Sequence, residues 1–86
     1  MNHPAQKTLE ELTAWFNCNN LQYSNIRYGV NISVDVEGFG KYPFTLTIQN
    51  ENEYITLTLI CCDSQLYRCH NIQKMVEVIF HEVQCN

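Results

Sequence analysis

Charge is scarce in this chain, and positive charge most of all. Only 16% of the 86 residues are Asp, Glu, Lys or Arg, and the five cations, Lys7, Arg27, Lys41, Arg68 and Lys74, are scattered along the length. A surface that holds nucleic acid needs several cations on one face to neutralise phosphates and release their counterions. With a formal net charge of −4 and no basic run, the chain argues against direct binding to nucleic acid.

Long apolar runs are missing too. No segment approaches the roughly 18 apolar residues of a membrane-crossing helix, and the opening MNHPAQKTLEEL holds no apolar core of a secretion signal. The expected location is cytoplasmic, with no membrane partner. The five cysteines, an odd number, agree with a reducing compartment where thiols stay free unless they bind metal or do chemistry. There is no phosphate loop, dinucleotide fingerprint or carboxylate pair; the close glycines Gly38 and Gly40 read as a hairpin turn.

What is present is the composition of one small folded domain spanning residues 1–86, with 45% hydrophobic residues. A chain of this size buries only about 60 to 65% of the surface its unfolded form exposes, which leaves little room for a deep cleft.

Thr8-Leu9-Glu10-Glu11 has the capping-box pattern, and Leu9, Leu12 and Phe16, with Trp15 beside them, follow at helical spacing. This predicts a helix over 8–18, ended by the Asn-rich stretch 17–20. From Tyr28 the period becomes two: Tyr28, Val30, Ile32, Val34 and Val36 alternate with Gly29, Asn31, Ser33, Asp35 and Glu37. After the turn Glu37-Gly38-Phe39-Gly40, Phe44, Leu46 and Ile48 alternate with Thr45, Thr47 and Gln49. A polar turn at 50–53 leads to Ile55, Leu57, Leu59 and Cys61, alternating with Thr56, Thr58, Ile60 and Cys62. Residues 63–70 read as a loop. Asn71 then caps a helix in which Ile72, Met75, Val76, Ile79, Phe80 and Val83 form one stripe.

The expected fold is α+β in the order αβββα, a three-stranded antiparallel meander with two helices packed on one face. Its other face is expected to be open, polar and rich in threonine. Of the five tyrosines, Tyr28 fits the core alternation, whereas Tyr42, Tyr54 and Tyr67 fall near turns as partial core caps or binding residues.

One stretch concentrates chemistry. CCDSQLYRCHNIQK, residues 61–74, holds three cysteines and a histidine, and His81 and Cys85 follow four apart on the second helix. Thiolates and imidazoles are zinc ligands, and the candidate set is Cys62, Cys69, His81 and Cys85. The stretch lacks a C-x2-C knuckle, and adjacent cysteines in a strand point to opposite faces, so at most one of Cys61 and Cys62 would join. The competing readings are a buried strand end followed by a loop, and a redox pair of Cys62 with Cys69. No base and oxyanion hole are aimed at a thiol, so no enzyme is expected and no cofactor beyond zinc.

The order αβββα is similar to that of double-stranded-RNA-binding domains, but Asn71-Ile72-Gln73-Lys74 supplies one cation where those domains cluster several. No binding residue is carried over. In size, acidity and α+β make-up the chain resembles small phage-encoded inhibitors, including some anti-CRISPR proteins; secretion-chaperone-like domains, which dimerise, share the pairing of helix and antiparallel sheet. The expectation is a non-enzymatic protein-binding module of the inhibitor or immunity type, acting stoichiometrically as monomer or homodimer. Its partner would be a protein with a basic surface, held by Asp35, Glu37, Thr45, Thr47, Thr56 and Thr58, with Glu51 and Glu53 at the adjoining turn. The alternatives are a dimeric accessory subunit paired through a sheet edge and a zinc-stabilised adaptor.

Overall fold

The computed structural model describes residues 4–37 and 43–84, with side chains described as far as Glu82. Helix α1 runs from Pro4 to Cys18. Proline opens a helix well, because its fixed φ is already helical and its missing N–H would find no partner in the first turn. The helix therefore begins before the Thr8 capping box, and Thr8 lies inside it, buried against the core.

The end of α1 is a Schellman motif. Leu21 N–H donates to the Phe16 carbonyl at 2.9 Å, Asn20 N–H donates to Asn17 at 3.3 Å, and Asn20 takes the left-handed conformation, φ 59°. Leu21 is buried behind it, the hydrophobic contact that usually accompanies this cap.

Among the described residues five strands follow: β1 (Gln22–Tyr28), β2 (Asn31–Glu37), β3 (Phe44–Asn50), β4 (Ile55–Cys61) and β5 (Ser64–Cys69), then helix α2 (Ile72–Gln84). They form one antiparallel sheet in the order β1-β2-β3-β4-β5. The α+β class holds, but the three-stranded meander does not, and the topological likeness to RNA-binding domains falls with it. Both missed strands are edges that bury little. In β1 only Tyr23 is even half-buried, so no apolar alternation marks it; hydrogen bonding to β2 holds it instead. In β5 a register shift opposite Leu59 and Ile60 breaks the alternation.

The first turn explains a second correction. Tyr28 pairs with Asn31 across a two-residue loop, with Gly29 at φ 60° in its first position, as a type II′ turn requires. The alternation read from Tyr28 to Val36 is thus two strands, and Tyr28 and Val30 are exposed rather than core residues. The expected turn at 37–40 lies largely outside the described residues.

The core is one cluster between the sheet and both helices. Leu9, Leu12 and Phe16 of α1 and Met75 and Ile79 of α2 pack on Ile32, Val34, Val36, Leu46, Ile48, Leu57 and Leu59. Helix α1 crosses β1 to β3, and α2 lies along β4 and β5. Asn71 caps α2, its Oδ1 accepting from Lys74 N–H at 3.2 Å. Phe80, expected in the α2 stripe, is exposed, while Val78 packs against the core. Among the described residues no helix is long and apolar enough to cross a membrane.

Candidate functional site

The sheet face away from the helices is built by register. Across β1 and β2, Gln22 lies beside Glu37, Ser24 beside Asp35, Ile26 beside Ser33, and Tyr28 beside Asn31. The row continues from Ser33 to Thr47, Thr58 and Arg68. Because side chains alternate across a strand, all of these share one face.

The sequence-predicted binding residues divide on this face. Asp35 and Glu37 are exposed, and Asp35 Oδ1 accepts from Thr45 Oγ1 at 2.9 Å across the β2–β3 ladder. Thr45 and Thr47 are half-buried. Thr56 and Thr58, however, are only 2% and 7% exposed and offer little to a partner. Thr56 Oγ1 is instead 3.4 Å from both Glu51 Oε1 and His70 Nδ1.

Those contacts belong to a clasp that the sequence did not reveal. His70 Nδ1 lies 3.2 Å from the Ile55 carbonyl, an acceptor only, so Nδ1 carries the proton and donates. The His70 ring also meets Tyr54 edge-on, with centroids 4.5 Å apart. This ties the β3–β4 turn to the segment entering α2. Glu51 is half-buried within the clasp, and Glu53 is exposed at the turn.

Among the described residues, the zinc candidates are not brought together. Cys62 sits in the β4–β5 turn, whereas Cys69 pairs with Leu57 at the far end of the same hairpin. At about 3.3 Å per residue the two are roughly 15 Å apart, while thiolates on one zinc lie within about 4.6 Å of each other. The same separation removes a Cys62–Cys69 disulfide. Cys69 Sγ donates to the Asn71 carbonyl at 3.3 Å, His81 is exposed on α2, and Cys85 lies outside the described residues. Among the described residues no group of three or more His, Cys, Asp or Glu is placed to hold a metal ion.

What the sequence reading missed is the apolar end of the open face. Ile26 is 55% exposed and Tyr28 61%, and Val30 beside them is exposed as well. The Tyr-Gly-Val-Asn sequence, a glycine between β-forming residues, was the available hairpin signal. The corner of the sheet made by β1 and β2 therefore carries exposed Ile26 and Tyr28 at one end and exposed Asp35 and Glu37 toward the other. No family model matches this chain, and no curated protein or solved structure matches it either.

Proposed function

We propose that this chain is a non-enzymatic binding module of the inhibitor or immunity type. It takes one protein partner, bearing a basic patch, on the β1–β2 corner of the open sheet face. The observation that carries this reading is that one face of the β1–β2 hairpin holds Ile26 and Tyr28, both more than half exposed, and also exposed Asp35 and Glu37 toward its other end. A tyrosine offers a large, rigid apolar body with a polar tip, the chemistry of interface anchors, at little cost in side-chain entropy. The flanking carboxylates add charge complementarity, which governs partner choice and association rate more than affinity.

A standard interface covers about 800 Å² per partner, roughly one seventh of the 5585 Å² that the whole chain exposes. The test compares wild type with Tyr28→Ser and with Asp35→Asn/Glu37→Gln in capture of a basic partner from a cell extract, alongside melting temperatures. Loss of capture in Tyr28→Ser and weaker, less salt-sensitive capture in the charge variant, both at unchanged melting temperature, is the expected result. Wild-type capture by both variants would sink the reading.

A second reading rests on the sheet edges. Strand β1 pairs with β2 without a break over seven residues and contains no proline, so its outer edge is regular, whereas β5 is interrupted by a bulge. A regular edge strand can add a strand from a second copy. Native mass spectra over a range of concentrations separate the readings: a dimer favours edge pairing, and a monomer throughout leaves the face.

A further inference from the structure

The β4–β5 turn places two thiols together, contrary to the rule that neighbouring strand residues face apart. Cys61 is the last residue of β4 and pairs with Ser64, so Cys62 and Asp63 are the central residues of a two-residue turn. Both have positive φ, 54° and 63°, which is the type I′ conformation. The left-handed backbone at Cys62 swings its side chain back toward Cys61, and the two Sγ atoms lie 3.8 Å apart.

That distance discriminates between two uses of a thiol pair. A disulfide needs sulfurs about 2.05 Å apart and Cα atoms about 4.4 Å or more apart, whereas neighbouring Cα atoms across a trans peptide are held at about 3.8 Å. A disulfide here would force the backbone to distort. Two thiolates at about 2.3 Å from a tetrahedral metal span an edge of about 3.8 Å, which the pair already matches without movement.

The surroundings favour a cation. The cavity beside Cys62 is lined by the carboxylates of Asp35, Glu37 and Asp63, and by no lysine or arginine among the described residues. Glu82, near the end of α2, is close enough for its carboxylate to act on Cys61. The Pro43 carbonyl lies 3.6 Å from the Cys61 sulfur.

We propose that Cys61 and Cys62 form a dithiolate chelate for a soft, thiophilic d10 metal ion, with its remaining coordination positions open to water or a further ligand. Each thiol loses one proton to solvent as the ion binds, so one ion displaces two protons. Soft thiolates select such ions over calcium or magnesium, and two ligands rather than four make the site one for exchange rather than for holding the fold together.

Cadmium(II) is the probe, titrated into the whole chain under reducing conditions and followed by thiolate-to-metal absorption and native mass. One ion per chain is expected for wild type, Cys18→Ser and Cys69→Ser. Cys61→Ser and Cys62→Asn, the latter chosen because asparagine tolerates the left-handed turn, should each bind roughly 100-fold more weakly, as loss of a chelate predicts. Alkylation of the wild-type chain gives a readout that needs no variant: cadmium should protect Cys61 and Cys62 while leaving Cys18 and Cys69 unchanged. Equal alkylation of Cys61 and Cys62 with and without cadmium would overturn the proposal, as would wild-type affinity in both turn variants.

Discussion

Replacing Asp63 by glycine should make the protein more stable. Asp63 holds φ 63° in the second central position of the β4–β5 turn, the place where type I′ hairpins favour glycine. A left-handed backbone costs an ordinary L-residue roughly 1–2 kcal/mol, somewhat less for Asp, and glycine removes that cost. Against this stands glycine's greater loss of freedom on folding, about 0.5–1 kcal/mol. The two ranges leave a net gain from zero to about 1.5 kcal/mol, about 0.5 kcal/mol with the smaller cost for Asp, and at 4–8 °C per kcal/mol for a domain of this size the melting temperature should rise by roughly 2–4 °C. The assay is thermal unfolding by circular dichroism under reducing conditions, with Asp63→Ala as the partner variant. Alanine also removes the carboxylate that shares a cavity with Asp35 and Glu37 but keeps the backbone penalty, so it should be no more stable than wild type. A gain in Asp63→Ala equal to that in Asp63→Gly would assign the effect to charge. A lower melting temperature in Asp63→Gly would refute the backbone argument outright.

Three further outcomes follow from the packing and the caps. Leu12 is fully buried between α1 and the sheet, so Leu12→Ala should lower the unfolding free energy by about 2–5 kcal/mol in urea titrations, with an unchanged m-value. Asn71→Ala removes the acceptor for Lys74 N–H and should cost about 1 kcal/mol, whereas Asn71→Asp should restore most of it. The Cys61 thiol is pushed above its ordinary value of 9.0, first by burial, then by the Cys62 sulfur and the Glu82 carboxylate. The folded state therefore holds that proton more tightly than the unfolded chain. The stability it contributes is complete below about pH 9 and is lost as pH rises toward the folded value. Urea unfolding across that range should show a steeper alkaline decline in wild type than in Cys61→Ser, and parallel declines would contradict it.

Elements that bury a face were legible in the sequence, and elements that do not were invisible. Strands β2, β3 and β4 lie between neighbours over the core, so Ile32, Val34, Val36, Phe44, Leu46, Ile48, Leu57 and Leu59 follow strict alternation. The cap at Asn71 was legible for a different reason: one side chain meets one amide locally, with no tertiary partner. Strand β1 answers to hydrogen bonding with β2, and QYSNIRY carries no burial period to detect. The site divides in the same way. Alternation fixes the face of Asp35 and Glu37, which are exposed, and puts Thr56 and Thr58 on that face too, where they are nonetheless buried. Alternation cannot say how far strands on either side, and the His70 clasp, cover a residue on the nominally open side. Tyr28 fits a core alternation because the period of two runs on through the hairpin at Gly29, where the glycine alone marks the reversal of the chain.

The two-residue turns of the β1–β2 and β4–β5 hairpins, compared, bear on the thiol pair. At the β1–β2 turn glycine takes the positive φ, and a Cβ added to Gly29 would meet no atom within 4 Å, so that turn is set by backbone freedom alone. At the β4–β5 turn, two residues with side chains hold the same region of φ, although Asn-Gly would form the hairpin at lower cost. Strain of this kind at a turn is a reason to ask what the side chains do there. The chelate proposal supplies an answer for Cys62, whose left-handed backbone is what closes the gap between sulfurs to 3.8 Å. For Asp63 it makes a sharper demand. If only the thiols bind the ion, Asp63→Gly should keep cadmium affinity while raising the melting temperature. A variant that gains stability and loses affinity would instead make the Asp63 carboxylate a third member of the site, and both residues of the strained turn would then be held there by the same ion.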